Sequence, residues 1–192
     1  MSDTSPTIRR LDDELLFLAR KYPRETWETH ANLGDLARLW LQRHDMFREL
    51  DRMIREGAES ALDDKLGPDE FKPWLGRYLQ FFLSQLEGHH HVEDHHYFPV
   101  FRQAEPRLAA GFDILDKDHD ALHHAIENIV GRANILLGQD DREPGAFRTE
   151  LGRFRETIVP MGADLMQHLD DEEDLVVPLI LDRGETRLMK GE

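Results

Sequence analysis

The sequence predicts an all-α chain: an antiparallel up-down four-helix bundle with a short N-terminal helical extension. Three observations carry this. Leucines and aromatic residues recur at helical spacing through long segments, glycine and proline clusters separate those segments, and no alternating Val, Ile, Thr or aromatic run survives between turn residues.

The first segment, Ile8 to Arg20, sets Leu11, Leu15, Leu16 and Leu18 among charged residues and stops at Lys21-Tyr22-Pro23. With residues 1–24 it forms the extension, expected against the outside of the bundle. A second segment runs from Glu25 to Ala58 on Leu33, Leu36, Ala37, Trp40, Leu41, Phe47, Leu50 and Ile54, and breaks between Gly57 and Gly67-Pro68-Asp69. The third spans Asp69 to Ala104, with Pro73 tolerated in its first turns and Glu105-Pro106 closing it. The fourth spans Gly111 to Leu137 and ends at Gly138-Gln139-Asp140-Asp141. The fifth runs from Pro144 to Leu181, with Pro160 and Pro178 expected as kinks or ends. Short loops between four long helices imply antiparallel neighbours. The bundle is expected over residues 25–183, with a tail over 184–192. Trp40, Phe47, Phe81 and Phe82 are expected in its core.

The 192 residues contain no cysteine, which excludes disulfides, thiolate metal sites and thiol nucleophiles. A formal net charge of −15 disfavours nucleic acid and anionic membranes as partners. No apolar run approaches the roughly twenty residues of a membrane span, and Met1-Ser2-Asp3-Thr4-Ser5-Pro6 does not open a secretory signal. A cytoplasmic location is the expectation.

Eleven histidines stand out, because they cluster. His89 to Pro99 and His168 to Pro178 share one pattern: His-x-x-x-Glu, a second acid, and a proline ten positions after the histidine. Residues four apart lie one helical turn apart on one face, so His89 with Glu93, and His168 with Glu172, each present a nitrogen and a carboxylate together. The intervening helices carry His44-Asp45 and His119-Asp120. Pairing the two halves about a pseudo-twofold axis gathers four histidines and two glutamates around one point. Imidazole and carboxylate without thiolate suit iron, manganese or zinc, and six donors exceed the four that a structural zinc needs. His123, one turn beyond His119, is a candidate seventh ligand. With it, five imidazoles, four carboxylate oxygens and a shared oxo or hydroxo group leave one coordination position open on two six-coordinate ions. Without it, two are open.

These residues resemble those of the hemerythrin, or HHE cation-binding, family, which has a lone histidine in the first bundle helix, His-x-x-x-Glu in the second and related donors in the third and fourth. The resemblance covers Glu25 to Asp182. It implies two iron ions with an oxo or hydroxo bridge, Glu93 and Glu172 as bridging ligands, and His44, His89, His119, His168 and His123 as terminal ones. Ferritin-like proteins carry Glu-x-x-His instead, the reverse order. The family's iron–sulfur repair members have cysteines in an N-terminal segment, and this chain has none.

His90, His91 and His95 are expected to face solvent, and His30 to be structural or on the surface. His96, seven residues after His89, is expected in the interior, as a satisfied core histidine or a hydrogen-bond donor near the metal ligands. The expected function is binding or sensing of dioxygen or another small diatomic. The alternatives are an oxidoreductase acting on peroxide, oxygen or nitric oxide, and iron storage or supply.

Overall fold

The structure is a computed structural model that describes residues 11–140 and 144–190. Its elements are α1 (Phe17–Lys21), a 3-10 turn (Arg24–Thr26), α2 (Asp35–Leu62), α3 (Pro68–Val92), a π-helical turn (Glu93–Tyr97), α4 (Phe98–Ala104), a second 3-10 turn (Pro106–Leu108), α5 (Ala109–Leu137), α6 (Pro144–Arg183) and α7 (Glu185–Lys190). There is no strand among the described residues, and no helix among them is long and apolar enough to cross a membrane. The ends of the first expected segment (Ile8–Arg10) and of the fourth break (Asp141) lie outside the described residues.

α2 packs on α3 and α6, and α5 packs on the same two, which closes the expected ring of four helices. The apolar stripe of each helix turns inward and forms two clusters. One holds Phe47, Ile54, Phe71, Phe82, Leu122, Phe154 and Leu165; the other holds Trp40, Phe98, Phe101, Phe112, Leu115, Leu175 and Ile180. Burying each such side chain contributes about 1.5–3 kcal/mol. Trp40, Phe47 and Phe82 are core as expected, but Phe81 is 46% exposed. It lies one residue before Phe82, and the inward stripe continues through Phe82 and Leu83 instead.

Some boundaries differ from those expected. α2 begins at Asp35 rather than Glu25. Its start is set from the other end of the chain: Glu185 accepts the Ala37 backbone N–H at 2.9 Å, and a Cβ on Gly34 would collide with that carboxylate. Within the 184–192 tail, Glu185–Lys190 form α7, which buries Leu188. Gly184, at φ +79°, permits the turn into it. α6 continues through Pro160 and Pro178 rather than ending at either. The third segment is not one continuous helix. At its π turn the Phe98 N–H bonds to the Glu93 carbonyl, five residues back. Pro99 has no N–H for the ordinary ladder and its ring crowds the carbonyl four residues earlier, a conflict the wider turn relieves.

The extension packs on α6. Leu11, Leu18, Trp27 and Leu33 join the second apolar cluster, Lys21 and Tyr22 bond to Asp182, and the Asn32 side chain donates to the Leu181 carbonyl.

Candidate metal centre

A polar layer separates the two apolar clusters. In α2, Trp40 belongs to one cluster and Phe47 to the other, with His44 between them; in α5, His119 sits between Leu115 and Leu122. His89, His90 and Glu93 lie between Leu86 and Phe98, and Glu172 between Leu169 and Leu175. All six side chains of the repeated pattern are buried: His44, His89, Glu93, His119, His168 and Glu172.

Their atoms fall into two groups. Nε2 of His44 lies 3.1 Å from Nε2 of His89, and Nε2 of His119 lies 3.1 Å from Nε2 of His168. Each glutamate spans both groups. Glu93 puts Oε1 2.9 Å from His89 Nε2 and Oε2 3.6 Å from His119 Nε2. Glu172 puts Oε1 3.5 Å from His44 Nε2 and Oε2 3.3 Å from His168 Nε2. Both oxygens of Glu93, Oε2 of Glu172 and Nε2 of His90 are buried with no hydrogen-bond partner among the described residues. Buried polar atoms left this way are costly unless a cation or a proton meets them. The donor set therefore fits metal ions: His44, His89, Glu93 and Glu172 can converge on one point, and His90, His119 and His168 on another.

The second acid of each repeated pair has a distinct task. Glu173 Oε1 accepts from His44 Nδ1 at 3.0 Å, and Asp94 Oδ1 accepts from His119 Nδ1 at 2.7 Å. Each thus backs the lone histidine of another helix, fixes its tautomer and turns its Nε2 lone pair inward. Asp118 lies 3.7 Å from His168 Nδ1, beyond hydrogen-bond reach, and puts a negative charge beside that ring. Glu173 is held in turn by Arg48 at 2.8 Å and, through its other oxygen, by Arg24 at 2.6 Å. Arg24 also reaches Asp174 and the Asp170 carbonyl. Trp40 donates its indole N–H to Glu172 Oε1 at 2.5 Å.

Burial disfavours charge throughout the layer. It depresses His89 to about 3, and lowers His90 and His119. It opposes protonation of His44 and His168 too, but Glu172 and Glu173 outweigh it at His44, and Asp118 and Glu172 take His168 up to about 9. Burial and the neighbouring Glu172 push Glu93 well up. At Glu172 burial acts in the same direction, yet His44 and His168 hold it well below its ordinary range. Protons thus balance the buried charge, and metal ions binding here would displace them.

The structure corrects three expectations. It does not bring His123 to the cluster: its side chain is 57% exposed, near Glu87 and Glu127. Leu122 and Ile126 take the inward positions of that stretch of α5. His90, expected at the surface, is buried and stacks on His119 with ring centroids 4.0 Å apart. The signal for it was present, since Phe82-Leu83, one heptad earlier, is likewise a pair of adjacent inward residues. His96 is exposed rather than interior. The π turn rotates the residues after Glu93, and Phe98 takes the inward place against His119. His91 and His95 are exposed as expected, and His30 is structural, its Nδ1 accepting the Asn32 N–H.

Fold and layer together define a class: an all-α bundle with a buried imidazole–carboxylate site for metal. The family model for the hemerythrin HHE cation-binding domain matches residues 35–180, and the chain belongs to that family. Comparison with curated proteins and with solved structures gives no match. The matched region starts at α2, so α1, Arg24 and the rest of the extension lie outside it.

Proposed function

We propose that this protein holds two iron ions in the polar layer and uses them to bind or sense dioxygen or a related small diatomic. The carrying observation is the division of each glutamate's oxygens between two histidine groups. Under this reading His44 and His89 serve one ion, His90, His119 and His168 the other, and Glu93 and Glu172 both. His90 takes the place that the sequence offered to His123. His90 would bring the imidazole donors to five, two beside one ion and three beside the other. The bound iron pair supplies a redox-active Lewis-acidic centre for a small ligand.

The protein's own residues do the rest. Glu173 and Asp94 orient the rings of His44 and His119, and Trp40 holds Glu172. The apolar clusters on either side keep bulk water from the layer. Optical spectroscopy of the iron-loaded protein tests the reading. Charge-transfer bands that form with oxygen and bleach on its removal support it. Irreversible oxidation with turnover of peroxide would replace it with an oxidoreductase, and iron lost rapidly to chelators would replace it with storage or supply.

A further inference from the structure

The His-x-x-x-Glu spacing of the two repeats occurs a third time, from His123 to Glu127 in α5. This copy stays outside the polar layer, on the outer side of the seam between α3 and α5. A carboxylate from the neighbouring helix joins it there. Glu87 Oε1 lies 3.7 Å from His123 Nδ1, and Glu127 Oε1 lies 3.8 Å from His123 Nε2. Donors that share an ion at about 2.1 Å stand roughly 3–4 Å apart. The three side chains are between 48% and 66% exposed, so a change of rotamer brings both carboxylates to one ring nitrogen, and water completes the coordination shell. One imidazole and two carboxylates without thiolate suit ferrous iron, manganese or zinc.

The position of the trio relates it to the buried layer. His119 stands one turn before His123 in α5, and His90 stands three residues after Glu87 in α3. The helices are antiparallel, so both steps lead the same way, from the trio to the three-histidine group about 5 Å further along each axis. The other half of the chain has no such corner. Counted from the matched histidines, Arg48 and Arg52 of α2 replace His123 and Glu127, and Met166 of α6 replaces Glu87. Those arginines are held by carboxylates of their own, Arg48 by Glu173 and Asp170 and Arg52 by Glu49 and Glu56. An arriving cation thus meets donors at one seam and guanidinium groups at the other.

We propose that Glu87, His123 and Glu127 form a surface site for a divalent ion of the iron, manganese and zinc class, and that this site captures metal for the three-histidine side of the buried layer. The site stands on its own geometry, and its delivery role rests on the metal reading above.

Binding is tested with manganese(II) titrated into the full chain after its buried layer has been filled with iron and oxidised. Wild type should hold one weakly bound manganese ion per chain, read from loss of the free-ion paramagnetic resonance signal. Glu127→Gln and His123→Ala should each weaken that binding about tenfold or more, the order expected when one contact at a metal site is removed. Delivery is tested by the rate at which the metal-free chain takes up ferrous iron. Both variants should fill more slowly than wild type, yet reach the same iron content and melting temperature. Absence of manganese binding in wild type, or an affinity unchanged in both variants, overturns the site. Uptake rates unchanged in both variants overturn the delivery role. Manganese bound by these residues in a chain that takes no iron into the layer overturns the metal reading instead.

Discussion

Glu93 and Glu172 do what the histidines cannot: a carboxylate has two oxygens, so each touches both nitrogen groups and ties four helices to one point. Each lies one turn beyond a histidine, and that spacing made the pair legible from sequence. Legibility failed one step further out. His123 also lies a turn beyond a histidine, but that rule says only that two residues share a face. Which face points inward depends on how the helix is rotated by its neighbours, and in α5 Leu122 and Ile126 claim it. His90 was missed for the complementary reason: α3 buries two adjacent positions per heptad, so its inward arc is wider than a single stripe. The expected consequence is that His90→Ala weakens metal retention against a chelator by about tenfold or more, as loss of a strong metal contact does. His123→Ala should retain metal as wild type does. Competition with a chromophoric chelator measures both, and equal retention in the two variants would remove His90 from the site.

At the level of elements, the π turn and the extension place chemistry that periodicity could not locate. Seven residues of regular helix after His89 would carry His96 inward; one extra residue in the turn sends it to solvent and brings Phe98 against His119. Pro99 was visible in the sequence, but whether a helix meets a proline by ending, kinking or widening depends on what packs around it, as α6 shows by running through Pro160 and Pro178. The extension looked like an external addition, yet Arg24 reaches Glu173, which backs His44. Arg24→Gln removes a positive charge near the centre and should lower the midpoint potential of bound iron by on the order of 20–70 mV, with Arg24→Lys restoring most of it. Potentiometry checks this; a lower melting temperature with an unmoved potential would make Arg24 a packing residue only. Beside the extension, where Arg107 stacks on Phe17, Arg107 and Arg183 hold the Glu105 carboxyl down to about 2, from an ordinary 4.5. A group depressed on folding stabilises the protein fully above its unfolded value and loses that contribution as pH falls through its folded one. Stability should therefore decline between about pH 5 and pH 2, with about 1 kcal/mol from this cluster, since its arginines are largely exposed. Glu105→Gln should flatten that part of an acid-unfolding curve.

Across the whole molecule, four helices, their order and the polar layer were legible because two matched halves repeat the same donors at the same spacing. The start of α2 and the existence of α7 were not, because each depends on the other: Glu185 at the head of α7 caps α2 from 148 residues away in sequence. A layer of buried donors crossing the middle of an apolar bundle ties stability to what fills it. Metal bound only to the folded state at a thousandfold excess over Kd adds about 4 kcal/mol. At 2–4 °C per kcal/mol for a chain of this size, chelation should lower the melting temperature by about 10 °C. The central claim, two ions shared by two glutamates, is tested most directly by elemental analysis after anaerobic ferrous loading and desalting. Two irons per chain in wild type, with both lost in Glu93→Ala and in Glu172→Ala, is the expected result. One iron per chain in wild type, or two retained in either glutamate variant, would contradict it.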